Sequence, residues 1–152
     1  MKLKIEISEG NAEEIIIRAP AATDEVRRLQ RLIESELEKQ GEIALHDGGR
    51  EYYVPYGSVL FFETCGGKTY AHTDKALYVC QMNLTELCAI LPDTFVRASK
   101  SCLINAAAVG SVTRSPTGVG EAGFTASKKT AYISRMYYKA VKEKIKETRL
   151  NR

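Results

Sequence analysis

The sequence has little of what metal centres and nucleophilic enzymes are built from. It holds two histidines, His46 and His72, and four cysteines, at positions 65, 80, 88 and 102. No two cysteines stand as C-x-x-C, so the close ligand pairs of a zinc ribbon or finger are missing. There is no G-x-S-x-G, no G-K-[ST] phosphate loop and no strand-GxGxxG-helix arrangement. Gly66-Gly67 and Gly118-Val119-Gly120 are isolated glycine pairs. An enzyme is therefore not expected, and neither is a metal or a cofactor. No apolar run approaches the roughly 20 residues that a membrane span needs. The start, Met1-Lys2-Leu3-Lys4-Ile5-Glu6, has no apolar core of a secretory signal. The expected compartment is the cytoplasm, with the cysteines as buried, reduced thiols.

What is there suits one ordinary domain with a short extension. The chain has 152 residues, 44% hydrophobic and 27% charged. The charge is unevenly placed. Residues 128–152 hold nine Lys/Arg against two Asp/Glu, while residues 1–127 hold 13 against 17. A basic end on an otherwise acidic chain suggests a polyanionic partner, although a solvated terminal helix gives the same pattern.

Residues 1–41 read as a small β-β-α extension. Leu3, Ile5 and Ile7 alternate with charged residues, and Ile15-Ile16-Ile17 follows the turn Gly10-Asn11 as a second short strand. Thr23 is an N-cap with Asp24 and Glu25 in the first turn, and Val26, Leu29, Ile33 and Leu37 form one apolar stripe. Gly41 stops the helix. That stripe must pack on a sheet or on a second copy of the chain.

Residues 42–152 read as a mainly β domain. Glu42–His46 and Tyr52–Pro55 flank the hairpin signal Asp47-Gly48-Gly49. Val59–Glu63 is a dense strand, turned by Cys65-Gly66-Gly67-Lys68 into Thr69–Thr73, with Ala76–Gln81 next. Asn83 and Glu86 form a capping box for a short helix closed by Pro92. Thr94–Ala98, Leu103-Ile104 and Val109–Arg114 are strand-like, and Ser115–Gly120 is a long turn. Phe124–Ser127 and Ala131–Ile133 are expected to pair across Lys128-Lys129, and Ser134 to cap a last helix from Arg135 to about Lys146.

Three places could meet a polyanion. Lys68 stands at a hairpin tip, where an ordinary solvated lysine is also common. Phe95–Asn105 alternates apolar anchors with Arg97, Ser99, Lys100, Ser101 and Asn105. Hydroxyls and cations there can hold phosphates, and an Asn can pair with adenine; an amphipathic strand has the same pattern. Ser134-Arg135 would put an arginine at a helix start, suited to a phosphate or to guanine O6 and N7, or to plain solvent. His46 and His72 read as surface or structural residues.

The stretch from about Glu42 to Ile145 resembles a LytTR DNA-binding domain, the bacterial response-regulator output module. The segments that carry the likeness are VLFFETCGGKTYAHTD, NLTELCAILPDTFVRASKSCLIN and AYISRMYYKAVKEKI. The resemblance implies an elongated antiparallel β-sandwich with one short central helix, whose loops enter successive major grooves and bend the DNA. Carried over by residue, it implies base contacts from Asn105 and Arg135, a contact from Lys68, and backbone contacts from Lys100 and Ser101. Ser99 stands where the family pattern often has a basic residue or His. The first 41 residues lack the acidic pocket of a receiver domain, which points to the stand-alone subfamily. Such proteins are often encoded beside a small membrane protein that restrains them.

The expectation is thus a cytoplasmic transcriptional regulator that binds double-stranded DNA, as a homodimer on repeated half-sites. Arg135 and Asn105 would read bases, while Lys100, Ser101, Lys142 and Lys144 would hold the backbone. The alternative is a protein-interaction module on the same fold, motivated by the acidic first 45 residues and the stripe Val26–Leu37.

Overall fold

The computed structural model describes residues 15–38 and 41–150. Helix α1, Asp24–Glu38, starts as expected: Thr23 Oγ1 accepts the Val26 N–H at 3.3 Å. Ile15–Ile17 form no strand. A strand needs a ladder partner, and the expected one, Leu3–Ile7, lies outside the described residues.

Ten strands follow. They are β1 (Glu42–Asp47), β2 (Arg50–Pro55), β3 (Val59–Cys65), β4 (Lys68–Thr73), β5 (Leu77–Cys80), β6 (Phe95–Ser99), β7 (Cys102–Asn105), β8 (Val109–Arg114), β9 (Gly120–Phe124) and β10 (Ser127–Ile133). Helix α2 is Leu84–Ile90, and α3 is Tyr138–Leu150. The first seven strands make one sheet in the order β2-β1-β5-β4-β3-β7-β6, and the last three make a second, β10-β9-β8. All pairings are antiparallel.

The central strand β3 decides the layering. Its apolar run is buried on both faces, and successive side chains point opposite ways. Phe61 faces the second sheet and stacks on Phe124 at 5.4 Å. Phe62 faces the other way and meets Phe95 at 5.8 Å. Two cores result. One joins Phe61, Ala98 and Ile104 of the large sheet to Phe124, Ala131 and Ile133 of the small one, closed by Val141 and Ile145 of α3. The other packs Phe62, Leu45, Ala71 and Leu103 beneath Leu84 and Leu87 of α2. The α2 capping box forms: Asn83 Oδ1 accepts the Glu86 N–H at 2.8 Å, and Glu86 accepts the Asn83 N–H at 2.9 Å.

Three expectations are corrected near the C-terminal end. The β9–β10 hairpin turns at Thr125-Ala126, and Lys128-Lys129 lie inside β10 at a register shift. The buried positions Gly120, Ala122 and Phe124 alternate, so Gly120 belongs to the strand and not to the long turn. Helix α3 begins at Tyr138, three residues after the expected Arg135, which lies in a turn. Ser134 Oγ is buried without a partner and caps nothing. The cysteines also divide: Cys80 and Cys102 are buried, but Cys65 and Cys88 are exposed. Burial pushes the Cys102 thiol up to about 12, which keeps it protonated and inert.

His72 is the structural strand residue its setting implied. Its ring lies on Phe61 at 4.1 Å, and Nε2 meets Glu63 Oε1 at 2.7 Å. Burial holds His72 below its ordinary value, partly opposed by Glu63. Between its folded and unfolded pKa values the unfolded chain binds more protons. Stability is therefore fully present above about pH 6.5 and falls as pH drops through the folded value. Urea midpoints at pH 7.5 and 5.5 should fall further in the wild type than in His72→Gln. Equal falls in both would show that another group carries the dependence.

Candidate nucleic-acid interface

Several loops meet at one end of the fold because the antiparallel ladders return them there. The β3–β4 hairpin turns on Gly66 and Gly67, at φ +58° and +77°. A two-residue hairpin of this kind needs positive φ at both centres, which glycine alone adopts freely. Lys68 leaves that tip, exposed, opposite Cys65.

The β6–β7 turn lies beside it. Thr64 N–H donates to the Ser101 carbonyl at 2.8 Å, which ties the two turns together. Lys100 and Ser101 are exposed, whereas Ser99 is buried and its hydroxyl accepts the Ser101 N–H at 3.2 Å. Arg97 Nη1 donates to the Lys100 carbonyl at 2.8 Å and braces the turn from below.

The segment between β10 and α3 arrives on the other side. Ser134 N–H donates to the Ala98 carbonyl at 2.8 Å, so Arg135 emerges next to the β6–β7 turn. The β8–β9 loop supports it. A Cβ on Gly118, at φ +89°, would stand 3.1 Å from both Cγ and Cδ of Arg135. The Arg114 guanidinium lies over the Tyr138 ring at 4.5 Å. Lys68, Lys100, Ser101 and Arg135 thus come to one end, with Arg97 of the same polar segment, and Arg114, Gly118 and Met136 join them without having been nominated. Met136 stands next to Arg135 in the chain, so only its exposure was hidden. Arg114 and Gly118 reach Arg135 through the β8-β9-β10 sheet, about 20 positions away in the chain, which no local pattern reveals.

Asn105 is not at this end, and the expectation that it reads a base is corrected. It closes β7 three residues past Cys102, about 10 Å from the turn. It is 3% exposed. Its Nδ2 donates to the Val59 carbonyl at 3.0 Å, and its Oδ1 accepts the Ala107 N–H at 3.1 Å, capping the short turn Ala106–Ala108. Each bond uses one of the amide's two donors or acceptors, and burial withholds the rest from an adenine. Asn105→Ala should cost about 1–3 kcal/mol of stability by orphaning these groups, while the folded variant keeps its base preference. A changed preference with unchanged stability would restore the base-reading role.

Along α3, Lys139, Lys142 and Lys146 are exposed. Lys144 differs: it pairs with Asp93 at 3.5 Å and Glu147 at 3.1 Å. Lys142 is therefore the cleaner backbone candidate. Among the described residues no helix is long and apolar enough to cross a membrane, and no group of three His, Cys, Asp or Glu is placed to hold a metal.

Comparison with known proteins gives the family and the fold. The family model of the LytTr DNA-binding domain matches residues 49–146. An uncharacterized HTH-type transcriptional regulator of Staphylococcus aureus strain NCTC 8325 is 26% identical over 146 residues, covering 95% of this chain and 98% of its own. One from strain MRSA252 is 25% identical over the same coverage. A LytTr DNA-binding domain from Bacillus cereus superposes with a TM-score of 0.64 at 17% identity, over 70% of this chain and 97% of that one. The helices described here form no helix-turn-helix: five strands separate α1 from α2, and five more separate α2 from α3.

Proposed function

The chain belongs to the LytTR family of DNA-binding domains, and on that footing we propose that it is a sequence-specific regulator of transcription that binds duplex DNA in the cytoplasm. The observation that carries this reading is the convergence of Lys68, Lys100-Ser101 and Arg135 on one end of the fold, from three separate loops. Cations presented by rigid turns suit a phosphate backbone, and an arginine among them can reach a guanine edge. Strand turns do the reading in place of a recognition helix. Lys68, Lys100, Ser101 and Lys142 hold phosphates, and Arg135 reads a base. Two copies occupy repeated half-sites.

The test is selection of duplexes from a random pool at about 150 mM salt, where non-specific phosphate binding is weakened. The expected result is an enriched motif repeated at fixed spacing. Lys100→Ala and Lys142→Ala should each weaken binding to all duplexes alike and flatten the salt slope by about one unit. No enrichment from a folded sample would overturn the reading.

One observation favours an additional protein contact. Ile15, Ile16, Ile17, Leu32 and Leu37 are exposed, gathered in the segment before the domain. A second copy of the chain or a membrane-protein partner would cover them. Native mass with and without random duplex separates these cases: a dimer without DNA assigns the surface to self-association.

A further inference from the structure

We propose that Met136 is a specificity-determining residue of the DNA-reading end, taking the C5 methyl of a thymine next to the base pair met by Arg135. The inference rests on the DNA-binding reading and adds a second contact to it.

Met136 is 78% exposed, among the most exposed large apolar side chains described. It sits in the turn Arg135-Met136-Tyr137, whose backbone is tied at both ends. Ser134 N–H donates to the Ala98 carbonyl at 2.8 Å, and Tyr137 N–H donates to the Ser134 carbonyl at 3.2 Å. Val141 N–H donates to the Tyr137 carbonyl at 3.0 Å, and the Val141 side chain is fully buried. Arg135 rests its stem on Gly118, while Tyr138 lies under Arg114. A fixed piece of backbone thus carries an exposed arginine and an exposed methionine at consecutive positions.

The thioether supports neither apolar core. A single exposed apolar side chain is ordinary on a protein surface; this one is set apart by its place beside Arg135 at the cationic end of the fold. The surroundings are cationic, which selects a polyanion. Phosphate is wholly polar, and the C–H groups of deoxyribose are the same at every nucleotide and carry no sequence information. The major-groove edge of a base pair does: thymine carries a C5 methyl there, beside the acceptors of a neighbouring guanine that suit Arg135. An unbranched, polarizable side chain can settle on that methyl without demanding one approach angle. Met136 therefore adds discrimination between bases and little general affinity.

The experiment uses the full chain and duplexes enriched from the random pool. Wild type, Arg135→Ala and Met136→Ala are each put through selection, with circular dichroism to confirm folding. The expected wild-type motif has a thymine column within one base pair of the guanine column that Arg135→Ala loses. Replacing that thymine by uracil removes only the methyl. Wild-type affinity should then fall about fourfold, the ratio that burial of one such group carries. Met136→Ala should bind both duplexes equally. A motif whose thymines all tolerate uracil, or one whose uracil sensitivity survives in Met136→Ala, overturns the inference and leaves the DNA-binding reading standing. No enriched motif with any of the three proteins overturns both.

Discussion

Phe62→Ala should destabilise the domain by about 3–5 kcal/mol, the usual cost of emptying a buried aromatic site. Phe62 is fully buried on the central strand, between Ala71 of β4 and Leu103 of β7. Its ring meets Phe95 and is covered by Leu84 and Leu87. Both neighbouring strands are paired with β3 at Phe62 itself, so the site cannot collapse around the missing ring. Domains of this kind have only about 5–15 kcal/mol to lose. The measurement is urea unfolding: the midpoint should fall sharply while the slope stays constant. Tyr53→Ala is the control, because Tyr53 is exposed on the edge strand β2 and its loss should stay within about 0.5 kcal/mol. A loss below about 1 kcal/mol for Phe62→Ala would mean that α2 does not seal that face.

Arg135→Ala should cost about 1–3 kcal/mol on the selected site, up to roughly a hundredfold in affinity, and relax the preference at one base pair. Arg135→Lys sharpens the test. It keeps the charge but loses the planar fork that spans guanine O6 and N7. Affinity for random duplex should therefore be retained, while the selected site loses its advantage. Titrations at two salt concentrations separate the two effects, since phosphate contacts follow salt and base contacts do not. If Arg135→Ala leaves the selected site at full affinity, Arg135 is a bystander and the reading side chain lies on another turn. The support from Gly118 makes a related point, because an added methyl there would press on the Arg135 stem.

The strands were legible where one residue type leaves few choices. Gly48-Gly49 and Gly66-Gly67 adopt positive φ, as two-residue hairpin turns require. Asn83 with Glu86 declared the start of α2, and Thr23 that of α1. Ser134 was misleading because a serine before an apolar-periodic run reads as a cap whatever surrounds it. In the fold its N–H is taken by the Ala98 carbonyl, and the helix is delayed to Tyr138. Lys128-Lys129 looked like a turn because two lysines are rarely placed within a strand. Lys129 is tolerated in β10 because its Nζ reaches the Ala76 carbonyl at 3.0 Å, a partner 53 positions away.

Asn105 shows where local reading ends. The segment offered it as a strand residue or a base reader, and its capping of Ala106–Ala108 came to light only with its burial, which is a property of the whole fold. By itself the sequence determined the mainly β class, the two hairpins that turn on Gly48-Gly49 and Gly66-Gly67, and the basic character of the chain's end, because these follow from side-chain period, backbone conformation and charge along the chain. Only the tertiary structure decided which cations share an end of the molecule. Lys68, Lys100 and Arg135 are far apart in the chain. They meet because β3 pairs with β7 and because the residue after β10 bonds to β6, and those long-range contacts have no signature in any one segment.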